Sequence, residues 1–483
     1  MKKRKSMGVN AVLSGIKTAL SVIFPLITFP YISRVLTVEN AGKYNFSYSV
    51  MTYVALFAAL GINTYAIREC SKVRDNRVLL DKTASEIFSI NVLSTIASYL
   101  VLFILLLFIP FFEEYRIIIL ILSINIAFTT IGCEWIYSVH ENYLYITVRS
   151  LITHLVSLAL LFIMVRKSDD VIPYAIVTVL GTTGGNLLYL IGRGKYSTIR
   201  FAINDGMRRH IRPIMIMFAN TVTTSIYVNS DIIILRILTS DRIVGLYSAS
   251  AKIYTIVKNV LAAVITVSVP RLSDYWQNGK KEEFNSTCRK VFMALLVIGA
   301  PAMIGLEALS KYVILLISSS KYLEATVSLK ILSIALLFSV FAWFFKSSVL
   351  IPTGNEDKIL RATLTASILN IVLNFILIPF IKQDAAALTT LIAEAICLGF
   401  AYYYGRKFYR IDVKKNDWVS VAIGCALIFA VCKMVPLYFH KTFMIVFVAV
   451  VLSVIIYFST LLLFNNSVMK YAFDYLKMKI KKD

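Results

Sequence analysis

The chain has 483 residues, 58% of them apolar, with a formal charge of +23 and a mean hydropathy of +0.75. Soluble domains hold about 45–50% apolar residues even with glycine counted, so an ordinary soluble enzyme is excluded. Nucleic-acid binding would gather positive charge into a patch on a folded face, whereas here the basic residues sit in short stretches between apolar blocks.

Those blocks are long enough to cross about 30 Å of hydrocarbon, for which a helix needs roughly 20 residues. Basic Met1–Lys5 leads into an apolar stretch that runs to Ile32 without a small-residue cleavage site, so no signal peptide is expected. About fourteen spans are predicted, starting near residues 9, 44, 87, 117, 149, 172, 213, 246, 289, 326, 357, 385, 418 and 442. Ile87–Pro110, Ile117–Tyr137 and Phe443–Phe464 are the sharpest. Lys and Arg concentrate in Arg68–Lys82, Arg193–Arg212, Arg271–Lys290, Arg406–Lys415 and the tail Lys470–Lys482. The positive-inside rule puts these segments, with both termini, in the cytoplasm. There they set topology and meet anionic membrane lipids, with no nucleic-acid partner implied.

All loops are short, about 20 residues at most, which leaves no room for a soluble catalytic domain, so the protein is expected not to be an enzyme. A polysaccharide polymerase or ligase would need a long external loop carrying catalytic groups. Cys70, Cys133, Cys288, Cys397, Cys425 and Cys432 are scattered without metal or disulfide spacing, and His140, His154, His210 and His440 are isolated from one another. No metal and no cofactor is implied. Gly181–Gly185 falls inside a span and reads as a close-packing or flexing point rather than a nucleotide loop.

One segment recurs about two hundred residues on. Arg34-Val35-Leu36-Thr37, Gly42, Tyr44, Ser47 and Arg68 match Arg236-Ile237-Leu238-Thr239, Gly245, Tyr247, Ser250 and Arg271. Arg149 matches Arg361, and Gly192-Arg193 matches Gly405-Arg406, so the offset grows from 202 to 213. Spans one to six (1–205) and seven to twelve (206–412) therefore form two similar lobes, and residues 413–483 add a helix pair and a basic tail. Six is even, so each copy starts and ends on the same side and the repeat is parallel. Parallel repeats in transporters enclose a central cavity that opens to either face as the lobes rock. The expected fold is an all-α polytopic membrane protein of this kind.

Phe24-Pro25-Leu26-Ile27-Thr28-Phe29-Pro30-Tyr31-Ile32-Ser33-Arg34-Val35-Leu36, followed by Gly42-Lys43-Tyr44-Asn45-Phe46, resembles the opening of bacterial oligosaccharide flippases of the Wzx type. Glu134-Trp135-Ile136-Tyr137 resembles a second signature of that family. The resemblance implies a flippase of the polysaccharide transporter branch of the MOP superfamily, which also holds lipid II flippases and multidrug exporters. It implies movement of an undecaprenyl-diphosphate-linked oligosaccharide to the outer leaflet of the bacterial inner membrane by alternating access, for O-antigen or capsule assembly. A polysaccharide polymerase and a chain-length regulator would be its partners. The alternative is a multidrug or cation exporter of the same superfamily, whose cavity should be acidic or aromatic.

Lys17, Asp231, Lys252, Lys258, Lys330, Lys346, Glu394 and Lys433 all fall within predicted spans. A lipid-facing charge at mid-span costs about 2.5–3.5 kcal/mol, so these groups must snorkel, pair or face water. Lys330, Lys346 and Lys433 lie near span ends and can snorkel. Lys258 and Glu394 fall near mid-span, where a cavity or a buried pair is expected. A diphosphate crossing oil needs cations to replace its hydration, and Lys17, Arg34, Arg236, Lys252 and Lys258 are the expected substrate-binding residues. For Arg34 the resemblance to lipid II flippases itself implies an arginine at the cavity. The plainer alternative is that Arg34 and Arg236 cap the external ends of their spans and hold loops. Lys252 and Lys258 stand about 120° apart on a helix, so one of them is free to pair with Asp231 on the adjacent span. Glu134 and Lys346 occupy matching places in the repeats and would form a cytoplasmic gate pair, unless each is satisfied within its own lobe. Asp231, Glu307 and Glu394 are the expected carriers should transport couple to H+ or Na+.

Overall fold

The computed structural model describes residues 7–470, without the side chains of residues 7–12, 14, 16–22, 220, 223, 224 and 226–228. Every regular element in that range is helical. Hydrocarbon offers no partner for a free N–H or C=O, and a helix satisfies each peptide group within its own segment. By contact the chain divides into two units, Met1–Arg236 and Ile237–Asp483.

The first unit holds α1 (Met7–Val35), α2 (Val38–Ala59), α3 (Ile62–Lys72), α4 (Arg77–Phe108), α5 (Arg116–Gly132), α6 (Glu134–Val139), α7 (Tyr143–Met164), α8 (Val171–Gly192) and α9 (Arg208–Leu238), whose last two residues lie past the boundary. Thr37, in the β region, caps α2 by accepting from the Asn40 amide at 3.1 Å. The predicted span Ile117–Tyr137 is interrupted: Cys133 takes a left-handed conformation (φ 51°, ψ 49°) that ends α5 and starts α6.

The second unit holds α10 (Asp241–Gln277), α11 (Lys281–Ala308), α12 (Ser310–Ile317), α13 (Thr326–Phe344), α14 (Glu356–Gly405), α15 (Lys415–Tyr438) and α16 (Thr442–Leu463). The 50 residues of α14 form two arms divided at Ile381 and Lys382, the latter at φ 50° and ψ −125°. Pro379, which has no N–H to donate, stands just before the break. Eleven described segments are long and apolar enough to cross a membrane, α14 counting once among them. Fourteen were expected; α1 and α9 are long helices outside that set of eleven.

The duplication reaches single contacts. In the first unit the Tyr44 hydroxyl donates to Thr178 Oγ1 at 3.0 Å, and in the second the Tyr247 and Thr390 hydroxyls lie 3.4 Å apart. A 3-10 turn, Pro110–Tyr115, feeds α5, and another, Ser320–Ala325, feeds the matching α13. The copies diverge just beyond: where the first has the Cys133 break, the second passes through a π-helical stretch, Phe345–Leu350.

Many large apolar side chains lie on the outside, among them Phe108, Ile191, Val267 and Leu463, each more than three-quarters exposed. In water such a surface would drive association; in a bilayer it is the solvated face.

Between α8 and α9 the chain runs extended along α4. The amides of Thr198, Arg200 and Ala202 donate to Asp81 Oδ1, Ser85 Oγ and Ser89 Oγ at 2.8, 3.0 and 2.9 Å. Every second residue of the linker thus meets every fourth residue of the helix.

Candidate functional site

The charges within the spans are resolved differently in the two units. In the second, α10 carries Tyr254 and Lys258 one turn apart, and the second arm of α14 carries Glu394. Lys258 Nζ lies 2.7 Å from Glu394 Oε1 and donates to the Tyr254 hydroxyl at 3.3 Å. Tyr254 in turn donates to Glu394 Oε1 at 3.2 Å. The Lys258 side chain is 18% exposed and that of Glu394 only 4%. Each charge removes most of the other's cost in a low-dielectric setting. The carboxylate that Lys258 meets is Glu394, on the second arm of α14.

One turn beyond Glu394, Cys397 Sγ receives Lys346 Nζ at 3.6 Å. Lys346 belongs to the π-helical stretch, so two lysines from different segments approach one face of the same arm. Lys252, further up α10, is exposed. Glu307 and Lys330 approach to 3.7 Å in a half-exposed pair.

In the first unit, Arg34 ends α1 and is exposed, donating to the Pro30 carbonyl at 3.3 Å. Arg236 lies near the end of α9. Its Nε donates to the Tyr115 hydroxyl, and its guanidinium sits 5.0 Å from the centre of the Phe111 ring, against the turn that feeds α5. Asp231 is buried on α9. The side chain of Lys17 lies outside the described residues.

Two charged centres of the first unit are absent from the sequence-based expectations. Arg149 of α7 is 8% exposed, with its guanidinium 3.6 Å from the centre of the Tyr189 ring. Its Nη2 is 3.9 Å from Glu134 and its Nη1 is 3.5 Å from Asn186 Oδ1. α8 passes close by: a Cβ at Gly185 would lie 2.1 Å from Arg149 Nη1, and one at Gly181 would lie 2.6 Å from Ser157 Oγ. Glu134 and Lys346, the expected gate pair, thus each have a neighbour within their own unit, Arg149 and Cys397 respectively. A repeat match (Arg149 with Arg361) was the only sign in the sequence that Arg149 is special.

The second centre surrounds Glu86 of α4, which is completely buried. Its Oε2 accepts from Arg209 Nη2 at 2.6 Å and lies 3.0 Å from His210 Nε2. The other ring nitrogen of His210 is 2.7 Å from the Tyr65 hydroxyl of α3. The start of α9 is thereby locked to α3 and α4. Glu86 lies one residue outside the predicted third span and so escaped notice as a membrane charge. Among the described residues, no three His, Cys, Asp or Glu side chains gather as a metal site would require.

The family described as "Polysaccharide biosynthesis protein" matches residues 8–276. A "Putative O-antigen transporter" of Escherichia coli (strain K12) is 24% identical over 398 residues, covering 81% of this chain and 94% of that protein. "Capsular polysaccharide biosynthesis protein CapF" of Staphylococcus aureus is 24% identical over 408 residues, covering 81% and 97%. Among solved structures, "Lipid II flippase MurJ, inward closed conformation" superposes with a TM-score of 0.75 at 16% identity, over 93% of this chain and 98% of that one. An inward-facing multidrug resistance MATE family transporter of the MOP superfamily gives 0.64 at 12% identity, over 82% and 97%. The chain is a multi-pass membrane protein with the fold of these transporters, and with the match spanning more than half its length it belongs to the polysaccharide biosynthesis protein family.

Proposed function

We propose that the protein is a flippase, not an enzyme, that carries an undecaprenyl-diphosphate-linked oligosaccharide from the cytoplasmic to the outer leaflet of the bacterial plasma membrane. The observation that carries this reading is the likeness to an O-antigen transporter over most of both chains, within the matched family. Both termini are cytoplasmic on the charge-bias rule. A polysaccharide polymerase and chain-length regulator would act on the delivered unit.

The difficulty of the reaction is electrostatic. A diphosphate entering hydrocarbon loses hydration that cationic donors must replace. Lys17, Arg34, Arg236 and Lys252 are the proposed donors. Lys258 is the fifth proposed donor, and its partner in this structure is Glu394. In this reading the diphosphate competes with Glu394 for Lys258, and a cation (H+ or Na+) taken up by the released carboxylate couples transport to a gradient. Asp231 and Glu307 are the other proposed carriers.

The fold it shares with a MATE transporter keeps a second reading, export of cationic drugs, worth testing alongside. Deletion of the gene should abolish surface polysaccharide and leave the lipid-linked unit on the inner leaflet, with a plasmid copy restoring both. Normal polysaccharide, with raised sensitivity to cationic drugs, would overturn the flippase in favour of the exporter.

A further inference from the structure

Charges that the proposed transport route does not use also gather on the second unit. A cavity of about 990 Å³ opens between the first turns of α11, the loop after α14 and the segment after α16. Arg289, Lys290, Arg406, Lys407 and Arg410 line it, against one lining carboxylate, Asp412. Arg289 engages that carboxylate at 2.9 Å. Arg406 rests against the Tyr403 ring at 4.9 Å, an arrangement that holds the guanidinium without neutralising it.

We infer that this cavity is a binding site for the phosphate headgroup of a membrane lipid. Two features point to this class. The lining charge is strongly positive, and arginine forks suit phosphate oxygens. The walls are amphipathic: Met293 and Phe408 line the same space, and exposed Leu463 and Ile411 lie a few residues from its edge in sequence. A soluble anion would need only the charges, whereas a lipid uses both.

The position agrees with the basic segments Arg271–Lys290 and Arg406–Lys415, the cytoplasmic side on the charge-bias rule. Basic pockets at the cytoplasmic ends of spanning helices commonly hold anionic headgroups. An acidic phospholipid and a polyprenyl diphosphate both supply this chemistry. The site does not depend on the flippase reading.

The test uses the full chain in phosphatidylcholine nanodiscs, titrated separately with cardiolipin, undecaprenyl diphosphate and inorganic pyrophosphate, with bound lipid counted by native mass spectrometry. The R406Q/R410Q variant should weaken lipid binding at least tenfold. K414Q/K415Q removes the same charge from the same segment outside the cavity and should change it less than twofold. R406K/R410K keeps the charge but loses the planar forks, so it should bind more weakly than the parent and more tightly than R406Q/R410Q. If R406Q/R410Q fails to fold, K407Q alone should weaken binding about threefold. Saturable binding of cardiolipin alone identifies a phospholipid site, and of undecaprenyl diphosphate alone a carrier-lipid site. Binding of both supports a general lipid-phosphate site. Equal losses in the two charge-removing variants, no saturable lipid binding, or pyrophosphate binding as tightly as lipid would each overturn the inference.

Discussion

Replacing Glu394 by Gln strands a lysine. Lys258 is 18% exposed and, among the described residues, keeps the Tyr254 hydroxyl at 3.3 Å once the carboxylate at 2.7 Å is gone. Removing one partner of a buried pair costs about 3–5 kcal/mol, because the survivor stays charged and desolvated. A unit of this size loses roughly 2–4 °C of melting temperature per kcal/mol, so a drop on the order of 10 °C is expected for E394Q, and a similar one for Lys258→Met. The double variant K258M/E394Q leaves no stranded charge, so its loss should fall short of the sum of the two single losses by about 2–3 kcal/mol, the coupling expected of neighbours. Thermal unfolding read with a thiol-reactive dye is suitable, since five of the six cysteines are buried and react only on unfolding. Losses that simply add in the double variant would refute a pair that matters to stability. A double variant that is stable yet restores no surface polysaccharide would separate the structural role of the pair from its proposed role in transport.

Other expectations follow from the first unit. Gly185→Ala drives a methyl into Arg149 and should cost about 1–3 kcal/mol, as overpacking does; a melting temperature equal to that of the parent would show that the guanidinium moves aside freely. Glu86→Gln weakens two charge-assisted bonds worth about 1.5–3 kcal/mol each, so limited proteolysis should cut the linker 197–204 faster than in the parent. Asp170, in the loop between α7 and α8, accepts from the amides of Arg166 and Lys167 at 2.8 and 2.7 Å, and these bonds hold its carboxyl below the usual carboxylate range. With the folded value depressed, its contribution is present above the unfolded value of about 3.9 and fades as pH falls through the folded one. Asp170→Asn should therefore lower the melting temperature at pH 7, and the gap to the parent should close toward pH 3.

Several helix starts were legible where a charge meets an apolar run. Predicted starts near 117, 172, 326, 357, 418 and 442 fall within a few residues of Arg116, Val171, Thr326, Glu356, Lys415 and Thr442. The Cys133 break was not, because a left-handed residue inside an apolar stretch leaves no trace in hydropathy. Lys258 and Glu394 stood out as charges needing partners, but 136 residues separate them and hydrophobic periodicity cannot match one span's face to another's. Arg149 and Glu86 were harder still. Both lay at the predicted start of a span, near 149 and 87, where a charge is ordinary. Their burial depends on partners such as Tyr189 and His210 supplied by other helices.

The strip of linker lying on α4 behaves as a vernier. An extended chain advances about 6.7 Å per two residues and a helix about 6.0 Å per four, so the two scales drift by roughly 0.7 Å at each rung. Three rungs at 198, 200 and 202 are near the limit before the mismatch outgrows a hydrogen bond. The contact also has parity: one inserted residue turns every matched amide to the opposite side, while two merely slide the register by a step. Tolerance of paired but not single insertions between Ser197 and Ala202 would be the mark of such a ruler.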